Sequence, residues 1–308
     1  MKLSVGLPTH RVDRASEFVT AEAVTQLASA AERAGFDAVF VTDHPFPADG
    51  WLAHGGHHAL DPLVALAFAA AATSTLRLHT NLFVVAYRNP FVSAKAVATL
   101  DALSGGRVIL GVGAGYLEGE FEALGARFHE RNDATDEAIL AMRAAWTGET
   151  VTMKGRDFDA RGNTMLPRPV QRPGPPIWIG GNSKRAIRRA VELGDGWSPM
   201  PSPARASTRL RTPGLETLDD LRERLRYATD HAAAVGRDTP LDVVFMPVGL
   251  DMFTNARLDA SRTVDGIAEL ADAGVTYAVV TLPGETRTEL VANLEQFGSE
   301  VVPHVAGL

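Results

Sequence analysis

Hydrophobic and polar positions follow two periods along this chain, one typical of buried strands and one typical of amphipathic helices. The run Ala38–Val41 is apolar throughout, as in a strand buried on both faces. In Glu22–Ala34 apolar residues recur every three or four positions, and Gly35 ends the pattern as it ends a helix. The same signals predict further strands at 3–7, 76–85, 108–113, 177–181, 196–198, 241–248 and 277–282, and further helices beginning at 61 and spanning 90–103, 135–146, 183–193, 217–235, 264–273 and 286–302.

Eight strand–helix units in alternation indicate parallel strands joined by crossover helices. For a chain of 308 residues this pattern favours an α/β fold of the (β/α)8 TIM barrel type, and an open doubly wound sheet is the alternative. We expect a single barrel domain over residues 1–308 with two insertions, 147–176 after the fourth helix and 199–216 after the sixth strand. The first insertion is expected to form a small hairpin, with strands at 151–153 and 157–159 on either side of Lys154–Arg156.

Composition excludes several classes of protein. The chain is 45% hydrophobic and 22% charged, which is ordinary for a globular protein and not for a disordered or collagen-like one. It contains no cysteine, so a disulfide framework, a cysteine-ligated iron–sulfur centre and a cysteine nucleophile are excluded. The formal net charge of −7, without a basic patch, argues against nucleic acid as a partner. Because no apolar run reaches the length of a membrane span, we expect a cytoplasmic protein without membrane attachment.

In a barrel of this kind the chemistry lies in the loops that follow the carboxyl ends of the strands. His44, at the end of the second predicted strand, is a candidate for proton transfer because imidazole titrates near neutral pH; a structural histidine is the alternative. The residues predicted at these strand ends are Thr9, His10, Asp43, His44, Thr80, Asn81, Gly113, Gly115, Tyr116, Gly180, Gly181, Asn182, Ser183, Ser198, Met246 and Thr281.

The turn at Gly180–Ser183 carries the best ligand signal. Its two glycines allow a ligand to approach the backbone closely, and Asn182 or Ser183 can cap the helix that follows. The free N–H groups of that helix attract anions, which would account for the cations Lys184 and Arg185 in its first turn. A phosphate site is one interpretation, and a plain glycine turn beside a solvated helix face is the other.

Three other motifs are less specific. The glycines of Gly111–Gly115 follow a GxGxG pattern, which differs from the GxGxxG of a Rossmann fold. His54–His58 contains three histidines without a carboxylate at metal-ligand spacing, so we expect a flexible loop there and no metal site. Glu118, Glu120 and Glu122 can include a catalytic acid, or they can simply complement the dipole at a helix start.

Several stretches resemble the luciferase-like monooxygenase superfamily of flavin and deazaflavin enzymes, in family order over most of residues 3–200. They are FDAVFVTDH at 36–44, YRNP at 87–90, LDALSGGRVILGVG at 100–113, FEALG at 121–125, PPIWIGGNS at 175–183 and LGDGW at 193–197. The chain is most similar to the branch that uses coenzyme F420, a deazaflavin.

The resemblance implies a homodimer of (β/α)8 barrels in which the cofactor ring rests on a bulge in the third strand. That bulge, often a non-prolyl cis peptide in the family, would fall at Asn81–Leu82. His44 would lie beside the reactive ring as proton donor or acceptor, oriented by Asp43, and the turn at Gly180–Ser183 would hold the phosphate. The residues expected to bind the cofactor are Asn81, Leu82, Gly113, Gly115, Tyr116, Gly180, Gly181, Asn182 and Ser183.

Two departures from the family pattern bear on cofactor and substrate. Flavin-using luciferases carry an arginine for the flavin phosphate where Ala114 stands, and the loss of that charge favours F420. F420-dependent sugar-phosphate dehydrogenases carry a glutamate where Tyr116 stands, which argues against that substrate. The acidic F420 tail needs a basic lining in a chain of net charge −7. Lys184, Arg185, Arg205, Arg209 and Arg211 can supply it, unless the last three belong to a solvated loop.

The expected function is therefore hydride transfer between F420 and a small organic substrate. An FMN-dependent monooxygenase served by a separate reductase is the second hypothesis, and a non-catalytic cofactor-binding protein on the same fold is the third. We expect the 199–216 segment to take part in substrate choice.

Overall fold

The computed structural model describes residues 1–247 and 258–308. Within these ranges the strands are β1 Lys2–Gly6, β2 Ala38–Val41, β3 Arg77–Val84, β4 Val108–Gly113, β5 Val151–Lys154, β6 Asp159–Asn163, β7 Ile177–Gly180, β8 Gly196–Ser198, β9 Asp242–Phe245 and β10 Tyr277–Val280. The α-helices are α1 Ala15–Phe18, α2 Ala21–Arg33, α3 Asp49–Leu52, α4 Pro62–Ala71, α5 Pro90–Ser104, α6 Glu118–Ala123, α7 Arg131–Trp146, α8 Lys184–Leu193, α9 Ser207–Leu210, α10 Leu218–Val235, α11 Ala260–Asp272, α12 Arg287–Glu300 and α13 Val302–Val305.

Eight of these strands close into a parallel barrel in the order β1-β10-β9-β8-β7-β4-β3-β2. The barrel closes where Lys2 of β1 is in register with Tyr277 of β10. Parallel pairing requires each connection between consecutive barrel strands to return the chain to the same end of the barrel. The prediction of a (β/α)8 TIM barrel is confirmed, and the open sheet is excluded.

Most predicted elements are found, with shifts at their ends. α7 and α11 each begin four residues before their predicted starts at 135 and 264. The hairpin within 147–176 is present as β5 and β6, but its second strand starts at Asp159, where we expected it to end. The predicted strand at 241–248 is observed as β9, and position 248 lies outside the described residues.

Four short helices of the described chain were not predicted: α1, α3, α9 and α13. Each has four residues, which is too few for an apolar period of 3.6 to repeat. α3 precedes the histidines that we interpreted as a loop, and α9 lies within the 199–216 segment.

The apolar core has two parts. One part fills the inside of the barrel and includes Phe40, Trp178 and Tyr277. The larger part lies between the barrel and its surrounding helices. Local capping fixes where these helices begin: Asp61 Oδ1 accepts the N–H groups of Leu63 and Val64, both at 3.0 Å, as the Asp-Pro start of α4 predicts.

Among the described residues, no helix combines the length and the apolar character that crossing a bilayer requires.

Candidate active site at the mouth of the barrel

The site residues predicted from the sequence meet at one end of the barrel. His44 follows β2, Asn81 and Leu82 lie in β3, Tyr116 follows β4, and the turn Gly180–Ser183 follows β7. Parallel strands bring all of these carboxyl ends to the same mouth. The topology therefore brings together positions that are more than a hundred residues apart in the chain.

The bulge expected in the third barrel strand is confirmed. The pairing of β3 with β4 shifts register between Thr80 and Phe83, and the peptide bond Asn81–Leu82 is cis. The Leu82 side chain points across the mouth toward two neighbouring strands. A Cβ atom built on Gly180 would lie 1.9 Å from Leu82 Cδ1, and one built on Gly113 would lie 3.2 Å from Leu82 Cβ.

This packing gives a structural reason for the glycine at position 180. The absent side chain makes room for Leu82 of the same chain, and cofactor binding by Gly180 stays a prediction. Gly181 differs, because its φ of +107° lies in the region that favours glycine. Gly115 also has a positive φ of +77°, and a Cβ there would lie 2.6 Å from the Phe121 ring.

Asn182 and Ser183 have separate tasks. Ser183 Oγ accepts the Ala186 N–H at 3.1 Å and caps α8, which resolves the choice of cap. The Asn182 side chain is fully buried and bridges the two ends of the 199–216 segment. Its Nδ2 donates to Met200 O at 2.8 Å and to Pro213 O at 2.9 Å. Asn182 therefore fastens that segment to the turn, and its side chain is committed to this task.

His44 is enclosed by aromatic rings. Its ring centroid lies 4.5 Å from Trp51 of α3, 4.9 Å from His57 and 6.1 Å from Tyr116. The side chain is 10% exposed. His10 lies on the far side of His57, at 5.5 Å between centroids. The loop histidine His57 thus belongs to the wall of the site.

Asp43 and His44 are adjacent in sequence, but their side chains have different partners. The Asp43 carboxylate accepts two hydrogen bonds from Arg88, at 2.7 and 2.9 Å, and one from the Val84 N–H at 2.9 Å. Burial raises the pKa of the Asp43 carboxyl, and the Arg88 charge opposes that rise. The expected orientation of His44 by Asp43 is therefore not the arrangement observed.

The carboxylate that faces His44 is Glu120 of α6. Its Oε2 lies 3.6 Å from His44 Nδ1, and its Oε1 accepts the Phe46 N–H at 3.1 Å. Glu120 is 2% exposed. Of the three acids noted in the sequence, Glu118 instead pairs with Arg211 and His129, and Glu122 is exposed.

Tyr116 remains a neutral phenol at physiological pH. Burial raises its pKa to about 12, and the negative charge of Glu120 adds to the rise. Burial lowers the pKa of His10 to about 4, with the neighbouring His57 adding to the decrease. The site therefore contains a neutral phenol beside His44 and a neutral imidazole beside His57.

Several cations of the predicted basic lining contact other groups of the protein. Arg185 pairs with Asp133 and Asp136 of α7, and Lys184 lies 5.2 Å from the centre of the Tyr227 ring. Arg209 donates to His54 O at 3.1 Å, and Arg205 is exposed in the 199–216 segment.

Two arginines near the mouth, Arg131 and Arg211, lie against the same ring, and Arg211 is also paired with Glu118 at 3.4 Å. Arg131 and Arg211 lie 4.0 and 5.6 Å from the centre of the Phe128 ring. Arg131 Nε also donates to Gly115 O at 3.2 Å, next to Tyr116. Burial and then the like charge of Arg211 lower the pKa of Arg131. The negative charge of Glu118 opposes the decrease, and a bound anion would add to that opposition. Arg131 carried no signal in the sequence.

Three buried polar atoms at the mouth fit a polar ring. Thr9 Oγ1, Thr42 Oγ1 and His44 Nδ1 have no hydrogen-bond partner within the described part of the chain. All three follow β1 or β2, and buried polar groups are normally paired. A heterocycle with ring N–H and C=O groups would supply partners for the two threonine hydroxyls, so the residues present fit a flavin or deazaflavin.

A cavity of about 500 Å³ opens beside these residues. His44 and Gly119 form part of its wall, with Asp49 and His58 at its polar positions. The remaining lining is apolar and consists of Pro45, Phe46, Pro47, Ala48, Leu52, Ala59 and Ala123.

Comparisons with known proteins agree with this geometry. The family model of luciferase-like monooxygenases matches residues 1–248. An F420-dependent glucose-6-phosphate dehydrogenase from Beutenbergia cavernae is 32% identical, over 89% of this chain and 90% of that protein.

Solved structures show the same fold. The monooxygenase RslO1 from Streptomyces bottropensis superposes with a TM-score of 0.76 at 21% identity, covering 99% of both chains. The coenzyme F420-dependent tetrahydromethanopterin reductase from Methanopyrus kandleri gives a TM-score of 0.73 at 20% identity, again covering 99% of both. The resemblance found in the sequence is therefore confirmed, and this chain belongs to the luciferase-like monooxygenase family, as an oxidoreductase built on a (β/α)8 barrel.

Proposed function

We propose that the protein is a coenzyme F420-dependent oxidoreductase that transfers a hydride between the deazaflavin and a small organic substrate. The observation that carries the proposal is the 32% identity to an F420-dependent dehydrogenase over 89% of the chain. The enclosed His44 supports it, and so do the hydroxyls of Thr9 and Thr42, which lack a partner among the described residues and would gain one from a bound ring.

The residues that would hold the cofactor fall into two groups. The ring would rest against the bulge at Asn81–Leu82, with Gly113, Gly115 and Tyr116 beside it. The phosphate would lie at the N-terminus of α8, where first-turn N–H groups lack intrahelical acceptors. Arg131 and Arg211 would neutralise the acidic tail. When bound, F420 would supply two-electron hydride chemistry.

The chain's own contribution is positioning and proton transfer. His44 would hold or release the substrate proton, because it is the imidazole at the centre of the aromatic wall. Tyr116 would donate a hydrogen bond as a neutral phenol. Trp51 and His57 would exclude water from the reacting atoms.

The substrate we propose is small and uncharged. The cavity beside His44 is lined mainly by apolar side chains, and none of the described residues in its lining is a lysine or an arginine. A sugar phosphate needs cationic partners for its phosphate. Tyr116 stands where the sugar-phosphate enzymes carry a glutamate, and this difference also argues against a sugar-phosphate substrate.

We also propose that 1–308 is one domain that forms a homodimer through α4 and α5. α4 contains no charged residue, and its Val64 and Phe68 are exposed. Val92 and Leu103 of the neighbouring α5 are exposed as well. An outer barrel helix normally presents polar residues to solvent, so this face favours a second copy as its cover. Light scattering should give twice the chain mass of 32.9 kDa.

A fluorescence titration of the purified protein with F420 and, in parallel, with FMN tests the cofactor. We expect micromolar or tighter binding of F420 and much weaker binding of FMN. Gly181→Trp is the matched variant, because its φ of +107° disfavours any side chain and the bulk would fill the phosphate turn. Gly236→Trp, at another positive-φ glycine with open space around it, is the control. A preference for FMN would overturn the proposal.

A further inference from the structure

Glu120 is a buried carboxylate of the site whose function is unexplained by the fold. It is 2% exposed, and burying a charge is costly unless partners compensate it. One of its oxygens accepts the Phe46 N–H at 3.1 Å. The other oxygen, Oε2, faces His44 Nδ1 at 3.6 Å. Glu120 therefore joins the backbone just after His44 to the His44 ring itself.

The histidine in this contact also lacks a hydrogen bond. His44 Nδ1 is buried and has no hydrogen-bond partner in the described ranges. At 3.6 Å the pair is longer than a hydrogen bond. Catalytic hydrogen bonds are often long in the absence of ligand and shorten in the complex. Both atoms are thus in place for a bond that a small ring movement completes.

We propose that Glu120 is a positioning residue that holds the Nδ1 proton of neutral His44, so that Nε2 carries the lone pair that accepts the substrate proton. A carboxylate only accepts hydrogen bonds, so the ring nitrogen that faces it must carry hydrogen. The other nitrogen of a neutral imidazole is then unprotonated. The inference rests on the proposed function for its catalytic meaning, but the tautomer itself does not depend on it.

Replacing Glu120 with glutamine should invert the tautomer. The amide oxygen of the new side chain would keep the bond from the Phe46 N–H, because that donor requires an acceptor. The amide NH2 group would then face His44 Nδ1, which would have to become the acceptor. The hydrogen would move to Nε2, the wrong position for a base. Glu122→Gln, on the exposed face of the same helix, is the matched control.

Nitrogen-15 NMR of histidine-labelled protein at a pH where His44 is neutral reports which ring nitrogen carries hydrogen, with His44→Gln to assign the signal. We expect Nδ1–H in the unsubstituted protein and in E122Q, and Nε2–H in E120Q. Nε2–H in the unsubstituted protein overturns the proposal without the need for any variant, and so does an unchanged tautomer in E120Q.

Steady-state kinetics with F420 provide the second measurement. E120Q should lower kcat by about 100-fold, because a misdirected base costs rate without weakening binding. The KM for the substrate and the dissociation constant for F420 should each change less than threefold. The kcat of E122Q should equal that of the unsubstituted enzyme. An equal kcat in E120Q overturns the proposed role. If the tautomer changes as expected but the unsubstituted protein transfers no hydride, the proposed function fails and the Glu120 assignment stands.

Discussion

Two buried carboxylates are neighbours of His44, Asp43 in the sequence and Glu120 in space, and their hydrogen-bond partners differ. Asp43 is saturated by the paired hydrogen bonds of Arg88 and by the Val84 N–H. Glu120 has one backbone partner and an oxygen that is directed at the histidine. The first arrangement holds the end of β2 against the end of β3, and the second leaves a group available for chemistry. Adjacency in sequence thus gives no indication that Glu120 faces His44.

The largest expected loss of activity comes from replacing His44, the residue that both carboxylates of this comparison neighbour. His44→Gln should lower kcat by about 10²–10⁴-fold, because general acid–base catalysis contributes that much. Its free energy of unfolding should change by about 1 kcal/mol or less, since the described residues give its Nδ1 no hydrogen bond to lose. His54→Gln, in the same segment but exposed, is the control for both measurements. Full activity of His44→Gln would remove His44 from the chemistry.

The Asp43 side of the comparison predicts a loss of stability. Arg88→Met should lower the free energy of unfolding by about 3–5 kcal/mol, because it leaves a buried carboxylate unpaired. Urea unfolding measures the loss. Arg127→Met breaks only exposed ion pairs and should leave the urea midpoint almost unchanged.

A double variant separates the Asp43 charge from the packing of Arg88. Adding Asp43→Asn to Arg88→Met should recover part of the lost stability, since no unpaired charge then remains buried. If Arg88→Met were as stable as Arg127→Met, the Asp43–Arg88 pair would not be structural.

A smaller effect on stability is expected from His79, a buried titratable group that, unlike Asp43, has no ion-pair partner among the described residues. His79 lies inside the barrel, and neither ring nitrogen has a partner among the residues described. Burial lowers the pKa of His79 to about 3. In the unfolded chain its pKa is near 6.5, so the unfolded state binds the proton first as pH falls. Stability is complete above pH 6.5 and decreases below it, by up to about 1.4 kcal/mol per pH unit from this group.

His79→Phe should therefore flatten the dependence of unfolding free energy on pH between 6.5 and 4.5. The slope is compared, so that any uniform loss from the substitution does not matter. His304→Phe removes an exposed histidine and should leave the slope as it is. Equal slopes for the two variants would show that His79 is protonated equally in the folded and unfolded states.

The barrel was predictable because its strands, such as Ala38–Val41, are short apolar runs closed by glycine or polar residues. Their carboxyl ends then located the mouth and the residues around it. The pairings within the mouth were not predictable, because they join distant residues. Phe46 and Glu120 are 74 positions apart, and Asp43 and Arg88 are 45 apart. No local period records such a contact.

Gly180 shows a second limit of the sequence. A glycine at a strand end indicates space that a side chain would fill, but not what fills it. Here Leu82 occupies the space, from a strand almost a hundred residues earlier. Arg131 was missed for a similar reason: it begins α7, and its place beside Gly115 depends on how that helix packs.

The contact of Leu82 with Gly113 and Gly180 has a consequence for anyone who redesigns the mouth. The side chains at these three positions share one space between three adjacent strands, so the size of each residue limits the size of the other two. A library that varies them singly would recover almost only defects, either overpacking at a glycine or a hole at Leu82. Paired changes such as Leu82→Ala with Gly180→Ala exchange volume between strands, and these are the variants with which a new mouth shape should be sought.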